Sequence, residues 1–480
     1  MMSALWTADA MAAAMGAERQ GPLPQSVPGL SIDTRTIQPG EAFFALEDVR
    51  DGHDFVEAAL KAGGGLAVVA AGKRGMFPKD APLLVVSNVL EALTALAREA
   101  RARSNAKFIG VTGSVGKTGT KEALRLALSS DGETHASAAS YNNHWGVPLS
   151  LARCPASARY AVLEMGMNHA GEIAPLTKLV RPHVAIITTV EPVHLEFFDS
   201  VEGIADAKAE IFQGIEPGGA AVINRDNPHF ARLQKQAKKA DVARIVSFGE
   251  NAKADARLMK FALQPESSTV QARILGADVT YKLGAPGRHV VWNSLAVLTA
   301  ATLAGADLAL AALALSNLQP PSGGRGERIA LELPGGTATL IDESYNANPA
   351  SMRAALALLG QAPVGPRGRR IAVLGEMLEL GPQGAALHRG LAEPIVENLV
   401  DLVFCAGELY RELWEALPSE RRGGYALTSA ALEAEVLGAL QAGDAVMIKG
   451  SLGSKMGPIV KALSRQFSSQ GAGAAVSAQG

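Results

Sequence analysis

The stretch Lys107 to Glu122, K-F-I-G-V-T-G-S-V-G-K-T-G-T-K-E, restricts the fold of this chain more than any other. Phe108-Ile-Gly-Val111 reads as a buried strand, and Thr120 to Leu128 carries Ala and Leu at helical spacing. Between them lies Thr112-Gly113-Ser114-Val115-Gly116-Lys117-Thr118. A glycine loop between strand and helix aims its backbone N–H groups and the positive end of the helix dipole at an anion. In such a loop Lys117 would reach the β- and γ-phosphates of a nucleotide, and the Thr118 hydroxyl would hold Mg²⁺. Position 111 is Val and the glycines fall at 110 and 113, so the form is the short G-x-x-G-K-T. The plain alternative is a glycine-rich turn carrying a surface Lys. The flanking strand and helix favour nucleotide binding, with Gly113, Ser114, Val115, Gly116, Lys117, Thr118 and Thr120 as the candidate contacts.

At 480 residues the chain exceeds one core. At roughly 100–200 residues per domain it divides into about three. The composition, 48% hydrophobic and 19% charged, is that of a globular protein. Its 45 basic residues against 47 acidic ones leave no broad field to attract nucleic acid or an anionic membrane. Arg367-Gly-Arg-Arg370 reads as a solvated turn. Cys154 and Cys405 form no C-x-x-C, which argues against a disulfide scaffold or zinc site and fits a reducing compartment. Met1 to Met15 reads as an amphipathic helix capped by Thr7 rather than a secretory signal. The apolar run Leu295–Leu315 is divided at Gly305-Ala-Asp307, where one helix ends and another starts on an Asp cap. No membrane insertion is expected, and the cytoplasm is the expected location.

The fold class expected is α/β in three domains. Residues 1–105 form a small α/β unit with strands at Ala42–Leu46, Leu66–Ala70 and Leu83–Val86. Residues 106–317 form a central phosphate-loop ATPase unit around a mainly parallel sheet. Its strands are Tyr160–Glu164, Val184–Thr189, Ala220–Ile223 and Ile245–Phe248, with some antiparallel strands within 253–285. Pro320-Pro-Ser-Gly-Gly324 reads as a linker. Residues 318–467 repeat the alternation, with strands at Thr337–Ile341, Ile371–Leu374, Leu402–Cys405 and Ala445–Ile448, as a doubly wound Rossmann-like domain. Residues 468–480 read as a disordered tail.

Ligands gather at the C-terminal ends of parallel strands. Glu164 ends one such strand and Asp342 another, although a strand-end acid is often only solvated. His194 follows the strand at 184–189, and Lys208 lies in a helical segment where a surface Lys is the default. Asn142-Asn143 fit a turn, and Asn293 fits a helix cap or polar face. Tyr345-Asn346-Ala-Asn348-Pro349 fits a tight loop entering a helix.

Taken in order, these residues form a pattern. T-G-S-V-G-K-T at 112–118, N-N-H-W-G-V-P at 142–148, L-E-M-G-M at 163–167 and H-L-E at 194–196 resemble the Mur ligase family. So do A-K-A-E-I at 207–211, G-R-H-V-V-W-N at 287–293 and D-E-S-Y-N-A-N-P at 342–349, so that the likeness spans nearly the whole chain. With V-L-G-E-M-L-E-L-G at 373–381 and K-G-S at 449–451, they look like the branch that couples D-alanyl-D-alanine to a UDP-N-acetylmuramoyl-tripeptide. The branch adding the third residue would show Asp-Asn-Pro-Arg in the C-terminal domain. Here the single Asp-Asn-Pro, at 226–228, is followed by His229 in the central domain. Val290, Leu452 and Glu191-Pro-Val193 depart from residues common in the family.

The resemblance implies an ATP-dependent ligase of peptidoglycan synthesis that yields the UDP-MurNAc-pentapeptide and acts as a monomer. By the same resemblance Lys117 and Thr118 serve ATP and a first Mg²⁺, with Glu164 a further metal ligand. His194 and a carbamylated Lys208 support a second Mg²⁺. Asn293 contacts adenine, and Arg325 and Asp342 reach ATP. Ser31, Asp33 and Arg35 lie near the uridine nucleotide, Asn143 near the muramoyl part, and Asn346 and Asn348 near the dipeptide. The acceptor carboxylate would attack the γ-phosphate, and the dipeptide amine would then displace phosphate from the acyl phosphate. Closure at Pro320–Gly324 would exclude water. A tripeptide synthetase or a folylpolyglutamate-type ligase would share the ATP core, and a nucleotide-dependent switch is the alternative of another class.

Overall fold

The computed structural model describes residues 4–138, 140–321 and 323–467. Ser322 of the expected linker and the expected tail from Ser468 lie outside the described residues.

Among the described residues three large sheets organise the chain, beside a two-stranded antiparallel one that pairs Trp6–Thr7 with Ser26–Val27. The first joins Glu18–Gln20, Leu83–Val86, Leu66–Ala70, Ala42–Phe44 and Leu30–Ser31, in that order across the sheet. Its last four strands run parallel and are almost wholly buried, as a sheet covered on both faces requires. Thr7 does cap the helix Ala8–Met15, accepting the Ala10 N–H. The helix Val89–Arg103, capped by Asn88, leads to the central sheet.

This first unit shares one continuous apolar core with the central one. Leu93, Leu96, Phe108 and Leu149 belong to the same buried cluster. Polar contacts cross the seam as well. Trp6 Nε1 donates to Ala152 O at 2.9 Å, the Arg103 guanidinium lies 3.4 Å over the Trp6 ring, and Arg153 donates to Leu30 O.

The central sheet has nine strands. Thr134–Ala136, Tyr160–Glu164, Lys107–Thr112, Val184–Ile187, Ala220–Asn224, Arg244–Gly249 and Ala256–Leu263 run parallel. Ser268–Ile274 and Ala277–Leu283 extend it antiparallel, as the weak helical spacing of 253–285 suggests. The helices Arg288–Leu303 and Leu308–Ala314 close this unit, the second capped by Asp307. Among the described residues no helix is long and apolar enough to cross a membrane.

The third sheet runs Glu327–Leu333, Gly336–Glu343, Ala445–Lys449, Arg370–Gly375, Leu402–Ala406 and Arg422–Ala426. All but the first pair in parallel, and separate apolar clusters cover the two faces. Both edge strands are absent from the sequence reading. Charges at both ends of E-R-I-A-L-E-L and two glycines in R-G-G-Y-A mask the β pattern, because an edge strand need bury only part of its surface.

The basic turn at 367–370 needs correcting. Arg369 pairs at 2.8 Å with Asp444, a fully buried carboxylate, and donates to Ala439 O. A buried carboxylate requires a partner, so Arg369 is structural rather than merely solvated.

Candidate active site

The phosphate loop is shaped by its neighbours. Gly113 has φ +150° and Gly116 φ +83°, and both glycines are crowded. A Cβ on Gly113 would collide with the Thr188 hydroxyl, and one on Gly116 would lie 2.6 Å from Asn293 Nδ2. The positive φ favours glycine at both places, and at Gly116 a side chain would also have to displace the Asn293 amide. Ser114 Oγ donates to Glu191 O at 3.1 Å and accepts the Glu191 N–H at 2.9 Å, while the Thr188 hydroxyl donates to Val115 O at 2.6 Å. The helix Lys117–Ser129 starts directly after Gly116, with no side chain capping it. Its first N–H groups therefore point at the space above the loop. Lys117 Nζ donates to Gly113 O at 2.9 Å. Burial holds its pKa below the usual lysine value; the Glu164 charge opposes that shift and Arg325 adds to it.

Strand register places Glu164 opposite Val111, at the foot of the loop. The carboxylate is buried, and its two oxygens are divided. Oε2 accepts from Thr118 Oγ1 at 2.9 Å and Oε1 from Asn142 Nδ2 at 2.7 Å. Asn142 thus emerges as a site residue, whereas the sequence argued only for its neighbour. Asn143 instead accepts the Gly146 N–H at the start of the helix Gly146–Ala152, and lines a second groove with Thr94, Arg98 and Lys178.

Lys208 lies on the helix Val201–Ala209 and is 2% exposed rather than on the surface. Its pKa falls well below the lysine value, first by burial and then by the charge of Lys117. His194 has φ +55°, and its Nδ1 lies 2.6 Å from the Glu379 carboxylate of the third unit, within hydrogen-bond reach. That hydrogen bond, the largest cause, holds Glu379 below the usual carboxylate range.

A cavity of about 650 Å³ opens between the central and third units. Ser114 to Thr118, Glu164, His194 and Asn293 line one side; Arg325, Asn346 and Asn348 line the other. Arg325 crosses the cleft to donate to Ser140 Oγ at 2.6 Å, its guanidinium 4.0 Å over the Tyr345 ring. Asn348 spends its side chain capping the helix Pro349–Gln361, accepting the Ser351 N–H at 2.9 Å.

Other expected residues stand back from this cavity. Thr120 is buried, its hydroxyl without a partner, and Asp342 accepts the Ser344 N–H of its own turn. Ser31, Asp33 and Arg35 lie on the first unit. Ser31 is buried there, and Asp33 takes the Arg35 guanidinium at 2.6 Å near Tyr141.

Among the lining residues, His289, Trp292, Glu343 and Lys449 lie within the quoted motifs but were given no role from the sequence. Lys449, 2% exposed, pairs with Glu343 at 3.0 Å and donates to Asn346 O at 2.9 Å, pinning the loop that carries Asn346. A buried Lys at a strand end, directly before Gly-Ser, was the available signal.

The donor set suits magnesium. Thr118 hydroxyl and Glu164 carboxylate are hard oxygen ligands already 2.9 Å apart, and Mg²⁺ takes few protein ligands beside nucleotide phosphates. Among the described residues one other cluster, Glu47, Asp51 and His53, has metal-like spacing. There His53 Nδ1 is bound to Asp51 and Nε2 accepts the Ala70 N–H, so no imidazole lone pair remains for an ion.

A phosphate loop, a magnesium-type donor pair and a cleft completed by a second doubly wound unit define a nucleotide-dependent enzyme that works between two domains. Residues 111–301 match the Mur ligase middle domain, and residues 324–452 match the Mur ligase glutamate ligase domain. The chain belongs to the Mur ligase family of ATP-dependent ligases.

The UDP-N-acetylmuramoyl-tripeptide–D-alanyl-D-alanine ligase of Rickettsia prowazekii is 32% identical over 95% of this chain and 99% of its own length. A MurF crystal structure from Acinetobacter baumannii superposes with TM-score 0.80 at 30% identity, covering 95% of this chain and 98% of that one. The Thermotoga maritima MurF ligase, solved in complex with ADP, superposes at 0.72 with 26% identity, covering 91% and 97%.

Proposed function

We propose that this enzyme uses ATP to couple D-alanyl-D-alanine to UDP-N-acetylmuramoyl-tripeptide, forming the pentapeptide precursor of peptidoglycan. One observation carries the reading. A single cavity is lined both by the phosphate loop and by the Asn346, Asn348 and Lys449 wall, so a nucleotide and an amine can meet there. Near-full-length likeness to enzymes named for this reaction supports the choice of substrates. In this reading the first unit takes the uridine nucleotide, the central unit ATP and the third unit the dipeptide.

In the first step an oxygen of the acceptor carboxylate bonds to the γ-phosphorus as its bond to the β–γ bridging oxygen breaks, giving an acyl phosphate and ADP; two anions meet, so the step needs positive charge and alignment. Lys117 and the free N–H groups of the helix Lys117–Ser129 supply fixed positive charge. Thr118 and Glu164 would hold Mg²⁺, which when bound adds positive charge at the phosphates. His194 and Lys208 would serve a second ion. Carbon dioxide adds only to a neutral amine, and the buried Lys208 amine is biased that way. The resulting carbamate would turn a cation into an anionic ligand. Amine attack on the acyl phosphate then expels phosphate, and the third unit shields that intermediate from water.

ATP hydrolysis measured with each substrate omitted tests the reaction. It should require both the UDP-tripeptide and the dipeptide, and phosphate release without amide product would refute the proposal. Lys208→Ala should lose most turnover without rescue by bicarbonate, and wild-type turnover would reject the carbamate.

A further inference from the structure

The residue that holds His194 in place comes from the opposite side of the cleft. His194 Nδ1 lies 2.6 Å from Glu379 Oε2, and the Glu196 N–H donates to Glu379 O at 3.2 Å. Backbone and side chain of one residue in the third unit therefore grip the turn that bears His194. Both residues adopt left-handed backbone, φ +55° for His194 and +62° for Glu379, which non-glycine residues rarely hold without outside support.

Glu379 has that support, although its side chain is 41% exposed. The adjacent Met377 N–H donates to His388 Nε2 at 2.9 Å, and the Leu378 N–H donates to Ser451 Oγ at 3.0 Å. Ser451 is anchored in turn, its N–H donating to Glu376 O at 3.0 Å. The loop at 376–379 is thus tied to a buried imidazole and to the strand end after Lys449, and it presents its carboxylate across the cleft from a fixed base.

An imidazole that donates one N–H to a carboxylate has its tautomer fixed and its other nitrogen free as a lone-pair donor of raised basicity. We propose that Glu379 is a positioning residue for His194, directing Nε2 into the cavity as a metal ligand, so that the second-ion site is finished by the third unit. This rests on the reading of His194 as a ligand of that ion. Because the carboxylate and the imidazole sit on different units, ion binding and the contact across the cleft are linked, and each strengthens the other.

Mn²⁺ binding, followed by electron paramagnetic resonance with the non-hydrolysable analogue AMP-PNP, separates the two ideas. His194→Ala should bind one Mn²⁺ fewer. Glu379→Ala should keep both ions but hold one of them roughly 10- to 100-fold more weakly. Glu379→Gln should recover part of that loss, since its amide oxygen still accepts the Nδ1 proton.

Two undiminished ions in His194→Ala would overturn the ligand reading. Loss of one ion in His194→Ala, with wild-type affinity at both sites in Glu379→Ala, would overturn the positioning role alone. If the Ala variant does not fold, the Gln variant decides. Mn²⁺ affinity at or above wild type would overturn the inference, and an intermediate affinity would support it.

Discussion

Gly116→Ala tests whether Asn293 and the phosphate loop act as one unit. The substitution has two separable costs. A Cβ at φ +83° strains the backbone whether or not nucleotide is bound, by about 1–2 kcal/mol. That cost falls on folding stability. The same Cβ would lie 2.6 Å from Asn293 Nδ2, so the amide must rotate away from where it borders the cavity. On the proposal that Asn293 contacts the nucleotide, losing that one neutral hydrogen bond is worth about 0.5–1.5 kcal/mol. At 1.4 kcal/mol per tenfold, the Kd rises roughly 2- to 12-fold.

Urea denaturation reads the first cost, and calorimetric titration with ADP reads the second. The decisive measurement is the double variant. With Asn293→Ala in place there is no amide to displace, so adding Gly116→Ala should weaken ADP no further. Independent sites instead add to within about 0.3–0.5 kcal/mol. Strict additivity of the two changes in ADP binding would refute the argument that Asn293 is what Gly116 makes room for.

Other consequences follow from the same structure. His388 is buried, accepts the Met377 N–H and has its pKa lowered by burial, so the unfolded chain binds its proton more readily. Its contribution is complete above the unfolded value of about 6.5 and is lost as the pH falls below it, so melting profiles of His388→Gln should depend less steeply on pH between 5 and 7 than wild type. Asn348→Ala removes a helix cap and should lower stability by about 1 kcal/mol in denaturant titration, even without substrate. Arg369→Met leaves the buried Asp444 without its charged partner, and a loss of about 1.5–3 kcal/mol is expected by the same measurement. Gly438→Ala, at an open helical position with nothing near the new methyl, should gain about 0.5–1 kcal/mol.

Much of the architecture was legible because its signals are local. The strand, loop and helix around Lys117 need only near neighbours to declare themselves, as do the caps at Thr7 and Asp307 and the buried strands Leu66–Ala70 and Tyr160–Glu164. Where burial was partial the pattern blurred, and the edge strands Glu327–Leu333 and Arg422–Ala426 were missed.

The chemistry of single side chains was decided elsewhere. Glu164 and Thr118 are 46 residues apart and meet only because two parallel strands pair in one register. Nothing around Lys208 announces that its amine is buried beside Lys117; the packing of the helix Val201–Ala209 does that. Asp342 and Glu343 are adjacent and equally acidic in the sequence. Strand alternation sends one to its own turn and the other to Lys449 at the cavity. His194 and Glu379 are 185 residues apart, and only the seating of the third unit on the central one brings them together. Composition and spacing determined that this chain is a nucleotide-using α/β enzyme, because backbone preference and burial act over a few residues. Tertiary structure decided which carboxylate faces which cation, because charge acts through space and takes no account of the distance along the chain.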